Sequence, residues 1–444
     1  MRRGRDHHAV GRGRRAAGFS LVELLVGLAV TSMLLLTVVG VFEAGSKVAR
    51  VETQTADLQQ SLRASQRQIT RLVNMAGRGG LALALPGVPV YRGAALAVRN
   101  AAGVGADNGE IAIGFAGTPL AVEGSDILIA RGVFETPVYQ VETLDPAAFT
   151  LLDSGIPTAD PTMATDGRVV IREMTRGLAQ DLTPLSDAWS GNIPEALVLM
   201  SPVDERIAAV VELDVANTVV GATRITVAFR VQGMTHPEYR NLYDSGVAPQ
   251  PVLPSGLKSV AHVGILEEYR FYIRRPQSPS AGLAQTAPRL SMARMFPGTE
   301  TPYLSALANA GVDLADNMLD LQVGLAFDSS LGPAATDQNG DGDVDEDDLE
   351  IHESTAGDND DYLFNSREDD PMLAPWNGTA PQPELFFVRL SLLARTGRRE
   401  RNHQATELLG YEDVQELRLL AWNSFEERLY RRRRQQTIVE LRNL

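Results

Sequence analysis

The chain of 444 residues contains no cysteine, which excludes disulfide bonds, thiol catalysis and zinc sites built on cysteine. The patterns that usually accompany catalysis or nucleotide binding are missing too, namely a glycine-rich phosphate loop, a GxSxG turn and an HExxH metal motif. We therefore expect no enzymatic activity. No motif supports an envelope hydrolase held by a membrane anchor.

Positive charge is also scarce, since 41 lysines and arginines face 56 acidic residues and the net charge is -15. The first 18 residues hold six arginines and one aspartate, so their removal leaves about -20 on the remaining chain. Phosphate contacts need clustered basic residues, and we therefore expect no nucleic-acid partner. One run, Arg431–Arg434, fits contact with DNA or an anionic surface, but also a solvated edge strand or pairing with the protein's own carboxylates.

One long apolar run follows this basic segment, from Leu24 to Phe42. As a helix its nineteen residues reach about 28 Å, close to the thickness of a bilayer's hydrocarbon core. Basic residues in front of the run favour a cytoplasmic N-terminus and place the rest of the chain across the membrane. A secretory signal is cleaved after its apolar run, whereas the plausible cleavage point here, Gly18-Phe19, precedes it.

Glu23 is the unusual residue of this stretch, because a carboxylate near an apolar membrane helix is costly and usually has a partner. Cleavage after Gly18 leaves Phe19 with a free amine one helical turn away. The amine of one subunit can then neutralise Glu23 of a neighbour within a bundle of helices. Glu23 also lies in the first turn of the helix, where the helix dipole favours an anion.

Gly18, Phe19 and Glu23, followed by the apolar helix, resemble the class III signal of type IV prepilins and type II secretion pseudopilins. The resemblance implies cleavage between Gly18 and Phe19 by a prepilin peptidase and N-methylation of Phe19. It also implies that Glu23 guides assembly into a filament with other pilins.

The N-terminal helix is predicted to continue well past the membrane run. Apolar or small residues recur at three- and four-residue steps from Val51 to Ala76, with polar residues between them. Gly77, Gly79 and Gly80 are then expected to end the helix. We therefore assign residues 1–18 to a cleaved leader and 19–80 to the helix, with a membrane span at about 24–42.

From residue 81 to about 275 the pattern changes to short β-type runs separated by Gly, Pro, Asp and Asn, which predicts antiparallel sheet. The fold class is therefore α+β, with a long pilin-like N-terminal helix and a β-rich antiparallel head. A further strand is predicted at Val263–Ile273. The clearest other runs are Glu110–Phe115, Asp126–Ala130, Arg168–Ile171, Ala209–Leu213 and Thr223–Phe229.

The C-terminal region, 276–444, carries a second resemblance. Leu314–Val323 is interpreted as a short helix leading into a strand, Phe387–Thr396 as another strand, and the chain closes on an Arg-Asn pair before Leu444. This order resembles the minor pilins called PilW, which are relatives of the J-type pseudopilins. The region between 81 and 250 resembles no family that we can name.

An acidic stretch at residues 337–348 fits a twelve-residue calcium loop. Calcium takes six to eight oxygen ligands, and a glycine at the sixth position, Gly342, permits the sharp turn. The last position holds aspartate where glutamate is usual, and a strand rather than a long helix is expected before the loop. We therefore predict a structural Ca²⁺ site, with a solvated acidic loop as the alternative. Its ligands are Asp337, Asn339, Asp341, Asp343, Asp345 and Asp348.

Taken together, these features predict a minor type IV pilin. Its expected path is single-pass insertion in the inner membrane with a periplasmic head, then incorporation in a pilus at the cell surface. Its expected partners are the prepilin peptidase and other major and minor pilins. Two alternatives remain open: a pseudopilin of a type II secretion machine, and a calcium-dependent pilus-tip adhesin that binds through residues 81–250.

Overall fold

A computed structural model describes the helix, most strands and several connections of the chain. The predicted strand Glu110–Phe115 lies outside the described residues. The described residues are 20–79, 81, 95–99, 121–122, 124–142, 149–151, 167–190, 195–202, 208–230, 259–274, 287–297, 311–327, 363–364, 385–399, 403–408, 419 and 422–441.

Two α-helices, one short 3-10 helix (Glu427–Leu429) and nineteen strands are described. The α-helices are α1 (Leu21–Met75) and α2 (Thr183–Ser190). The strands are β1 (Leu96–Arg99), β2 (Ile127–Gly132), β3 (Tyr139–Gln140), β4 (Phe149–Leu151), β5 (Gly167–Arg172), β6 (Met174–Thr175), β7 (Leu178–Ala179), β8 (Ala196–Met200), β9 (Ala208–Leu213), β10 (Val219–Val220), β11 (Arg224–Arg230), β12 (His262–Ile265), β13 (Glu267–Arg274), β14 (Arg289–Met295), β15 (Gly311–Asp316), β16 (Met318–Phe327), β17 (Leu363–Phe364), β18 (Leu385–Arg395) and β19 (Arg432–Glu440).

The chain divides into two compact units, residues 1–57 and 58–444. The described part of the first unit is the N-terminal portion of α1, and the second unit is the β-rich head with the remainder of that helix. All strand pairs are antiparallel, which confirms the predicted α+β class.

The C-terminal part of α1 packs into the head along the predicted apolar stripe. The buried residues Leu62, Ser65, Ile69 and Leu72 recur at helical spacing, so one face of the helix meets the core. The helix ends at Met75, and the next turn contains two glycines with positive φ, 82° at Gly77 and 114° at Gly79. Glycine adopts this backbone conformation without a steric penalty, which explains the end of the helix where it was predicted.

The first sheet has five strands in the order β1-β2-β13-β14-β15. One of its faces packs against α1, with Leu128, Phe271 and Ile273 in the same buried cluster as Leu62 and Ile69. Strands on either side of residue 275 are neighbours in this sheet, because β13 pairs with β14. The two predicted regions of the head, 81–275 and 276–444, are therefore joined by continuous strand pairing.

The second sheet has the order β3-β12-β8-β9-β11-β5-β4, with β10 paired to β11. It has its own buried cluster, which includes Val169, Val211, Phe229 and Val263. In the sequence, all of its strands lie between β2 and β13 of the first sheet. Gly132, the last residue of β2, pairs with Glu267, the first residue of β13. The chain therefore leaves the first sheet to form the second sheet and re-enters the first sheet at the same place.

The predicted strand Val263–Ile273 is two strands that belong to different sheets. β12 ends at Ile265 in the second sheet, and β13 begins at Glu267 in the first. Between them, Leu266 donates a backbone hydrogen bond to Ala196 O at 2.8 Å. Periodicity alone did not reveal this change of sheet, because the apolar pattern continues through it.

The third sheet has the order β17-β16-β18-β19 and packs with α1 through Leu321, Val323 and Val388. The predicted helix within Leu314–Val323 is wrong, since this segment forms β15 and the start of β16. Asn317, with φ of 61°, separates the two strands. Strand pairing with β18 and burial of both faces of β16 outweigh the helical propensity of its leucine, methionine and alanine residues.

A polar contact joins the first and third sheets. Ser125 and Asp126, just before β2, lie against β16. The backbone N–H of Asp126 donates to Leu321 O at 2.9 Å, and the N–H of Val323 donates to Asp126 Oδ2 at 2.8 Å. The hydroxyl of Ser125 accepts from the N–H of Leu321 at 3.1 Å. These bonds satisfy backbone groups of β16 that are buried beside another sheet.

Candidate assembly site on the N-terminal helix

Ser20 and Glu23 cap the start of α1 reciprocally. The backbone N–H of Ser20 donates to Glu23 Oε2 at 2.9 Å, and the backbone N–H of Glu23 donates to Ser20 Oγ at 3.2 Å. This arrangement is a capping box, which satisfies two donors that the first turn of a helix leaves without intrahelical partners. The Glu23 carboxylate is thereby held at the N-terminal end of the helix.

Ser20 was not singled out in the sequence, although a signal for it was present. A serine followed three residues later by glutamate, directly before an apolar run, is the sequence signature of a capping box.

The apolar side chains that follow Glu23 are exposed within the chain. Leu24 is 63% exposed, Leu36 74% and Phe42 78%. Helix α1 is long and apolar enough to cross a membrane, and no residue of its most apolar 18-residue segment is buried. An apolar surface of this size calls for lipid or another helix around it.

The hydroxyl groups in this segment do not interrupt its apolar character. Thr31, Ser32 and Thr37 donate to the backbone carbonyls of Gly27, Leu28 and Met33 at 2.7, 2.8 and 2.9 Å. Each hydroxyl is therefore satisfied within the helix and needs no water, as a membrane helix requires.

Two of the predicted site residues, Gly18 and Phe19, lie outside the described residues, and Glu23 lies within them at the expected place in the first turn. The predicted calcium ligands, from Asp337 to Asp348, also lie outside the described residues. Among the residues that the structure describes, no group of three or more histidine or acidic side chains is placed to hold a metal ion.

The decisive comparison concerns this N-terminal segment. Residues 13–39 match the family model of the prokaryotic N-terminal methylation motif. The chain therefore carries a type IV pilin-like class III signal. This motif is typical of structural subunits rather than of an enzyme family. No curated protein and no solved structure is significantly similar to the chain.

The matched segment contains Arg14 and Arg15, the Gly18-Phe19 pair, the capping box and most of the exposed apolar run. Such a signal supports processing by a prepilin peptidase, membrane anchoring and then assembly with other pilin-like subunits. The head, from residue 58 onward, is not covered by the match.

Proposed function

We propose that the chain is a minor type IV pilin of the PilW type, a structural subunit of low abundance that is needed for pilus assembly. The observation that carries the proposal is a carboxylate, Glu23, held at the start of an exposed apolar helix inside an N-terminal methylation motif. A β-rich antiparallel head that follows this helix in the chain agrees with the same proposal.

In this proposal, prepilin peptidase cleaves between Gly18 and Phe19 and the new amine of Phe19 is methylated. The precursor spans the inner membrane once, with its N-terminus in the cytoplasm and its head in the periplasm. Assembly transfers the exposed apolar residues of α1 from lipid to neighbouring helices. The positive charge on Phe19 of one subunit then offsets the cost of placing Glu23 of its neighbour in an apolar bundle.

We further propose that residues 337–348 bind one Ca²⁺ ion with a structural role. The donors are hard oxygens, from the side chains of Asp337, Asn339 and Asp341 at alternating positions, as calcium prefers. Asp343 offers its backbone carbonyl, Asp345 a direct or water-mediated oxygen, and Asp348 closes the loop. In this role the ion ties the acidic loop into a fixed shape rather than acting as a sensor.

Mass spectrometry of sheared surface filaments tests the main proposal. A peptide that begins at N-methylated Phe19 in the filament fraction is expected. If that processed peptide occurs only in the membrane fraction, the chain is instead a pseudopilin of a type II secretion machine. If only a peptide that spans Gly18 and Phe19 is found, the proposal is wrong.

A further inference from the structure

The C-terminal strand β19 forms one edge of the third sheet and is the longer of its two edge strands. It pairs with β18 over all nine residues, Arg432 to Glu440, without a register shift. The opposite edge, β17, has only two residues. Within the part of the chain that the structure describes, no strand pairs with the outer side of β19.

An edge strand of this length is a template for another strand, because its outward N–H and C=O groups need partners. Four of its residues, Arg433, Arg434, Gln436 and Ile438, are exposed, and Ile438 keeps 37% of its surface open although it is aliphatic. The side chains of Gln435 and Thr437 are held by Gln66 of α1. The strand is therefore fixed to the helix on one face, and none of the described strands pairs with its outer edge.

Positive charge is concentrated where β19 begins. The described segments 395–399 and 426–434 contain eight arginines and two glutamates, although the whole chain carries a net charge of -15. Arg395 pairs with Glu427, and Arg399 Nη1 lies 2.9 Å from Glu426 Oε2. Both glutamates are thus already matched with arginines.

Other arginines of this region are satisfied in different ways or remain available. Arg428 Nη1 lies 2.8 Å from Glu407 Oε1, and Arg432 donates to the backbone carbonyls of Trp422 and Thr406 at 2.7 and 2.8 Å. Arg398 and Arg433 are exposed, and among the described residues neither has a carboxylate partner. In the described segments 395–399 and 426–434 the arginines outnumber the carboxylates, so this surface favours a further anion.

We propose that β19 is a docking edge that accepts an extended acidic segment of another protein chain as an added strand. Backbone hydrogen bonds along the outer edge supply binding energy, and the arginines at its start select for acidic side chains. Successive residues of a strand point to opposite faces. Arg433 therefore recognises acidic residues on the face that carries Gln435, while Arg432 and Arg434 lie on the other face.

This inference does not rest on the proposed pilin function, since it concerns only the head. It also qualifies the expectation from net charge, because a strongly acidic chain here presents a locally basic strand. The charge complementarity favours an acidic partner segment over a second copy of β19, whose own arginines add positive charge to the interface.

The test uses the full mature chain in non-ionic detergent and a fluorescent peptide of alternating glutamate and threonine or valine. Binding is measured by fluorescence anisotropy at low and high salt. We expect binding that weakens with salt, and a loss of roughly three- to tenfold in affinity for Arg433→Glu. The matched control is Arg63→Glu, an exposed arginine on α1, which should bind the peptide like the parent.

Two modified peptides separate strand pairing from simple attraction of charge. A peptide N-methylated at alternate residues cannot form one row of backbone hydrogen bonds, and it should bind at least about tenfold more weakly. A peptide with lysine in place of glutamate should not bind. Three outcomes would each overturn the proposal. The methylated peptide binds as tightly as the unmodified one, the Arg433→Glu variant binds the peptide as tightly as the parent, or the chain associates with itself through β19.

Discussion

Gln66 on α1 donates a hydrogen bond through its side-chain amide to the hydroxyl of Thr437 on β19. Its amide oxygen accepts a second hydrogen bond from the side chain of Gln435 on the same strand. One helical residue thus holds two residues of the C-terminal strand, which is more than 360 positions away in sequence. The bonds lie at the margin of the core that Leu62 and Ile69 form with Val439.

Replacing Gln66 with alanine should destabilise the head. The change removes both hydrogen bonds and leaves the partly buried side chains of Gln435 and Thr437 unsatisfied, which costs about 1–3 kcal/mol. Thermal or urea unfolding of the mature chain measures the effect. Gln60→Ala, at an exposed position of the same helix, should leave stability nearly unchanged, and equal effects of the two variants would contradict the role of Gln66.

Replacing Glu23 with alanine should leave peptidase cleavage intact and impair incorporation into filaments. Removing one partner of a buried ion pair costs about 3–5 kcal/mol, so incorporation should fall more than about tenfold. Immunoblots of sheared filaments and membranes report both steps. The control is Glu43→Ala, since Glu43 forms an exposed pair with Lys47 on the same helix, and normal incorporation of Glu23→Ala would refute the assembly role.

Replacing Gly18 with valine should block cleavage and leave the longer precursor in the membrane. A bulky side chain at the residue before the cut is expected to exclude the chain from the peptidase. The mass of the membrane-bound protein shows whether the leader is retained. Gly27→Val is the control, because a Cβ at Gly27 meets no atom within 4 Å, and a mature form of Gly18→Val with normal size contradicts the assigned site.

Calcium should raise the melting temperature of the mature chain if residues 337–348 bind it. An ion present at about 100 times its dissociation constant adds about 2.7 kcal/mol to stability. The double change Asp337→Ala with Asp341→Ala should abolish the shift between chelator and calcium. The matched control changes Asp358 and Asp360, which lie in an acidic run without loop spacing, and the absence of any shift in the parent removes the calcium proposal.

Low pH should lower the free energy of unfolding because it protonates Asp313, which lies on β15 at the edge of the first sheet. Burial raises the pKa of this carboxyl, but hydrogen bonds from Ser291 at 2.7 Å and Arg289 at 2.6 Å outweigh burial and lower the pKa below its usual 3.8. A lowered pKa in the folded state means that the ionised carboxylate stabilises the fold above the ordinary pKa. That stabilisation is lost as pH falls through the lowered pKa.

The measurement is urea unfolding of the parent and of Asp313→Asn at a series of pH values. The two should differ most near neutral pH and converge as the pH falls below the lowered pKa of Asp313. Ser291→Ala, which removes one donor to Asp313, should reduce the pH-dependent part of the difference. A constant difference across the whole range would show that Asp313 contributes no proton-linked stability.

The sequence predicted α1 well because a long helix repeats one pattern many times. The apolar run, the stripe that ends at Ala76 and the glycines after it each point to the same element. The type of the head could also be predicted, since strands such as β5, β9 and β11 are short, rich in β-branched residues and bounded by turns.

The features that the sequence did not predict correctly have a common physical cause. Each is determined by contacts with residues that are distant in sequence. Leu314–Val323 has helical propensity, yet its conformation is set by pairing with β18 about seventy residues later. The break at Leu266 is set by its bond to Ala196, and the partners of Gln66 lie at the far end of the chain. At the assembly site, Glu23 was predicted from the cost of its charge beside an apolar helix and then from a resemblance, whereas Ser20 needed only the local capping pattern.

The pairing of Gly132 with Glu267 has a consequence for how such a head can change. Because the chain leaves β2 and re-enters at β13 between adjacent strand ends, residues 133–266 form an insertion whose two ends already meet. Segments with adjacent ends can be lengthened, shortened or exchanged with little strain on the host fold. The second sheet is thus free to diversify while the packing of Leu62 and Ile69 against the first sheet stays constant.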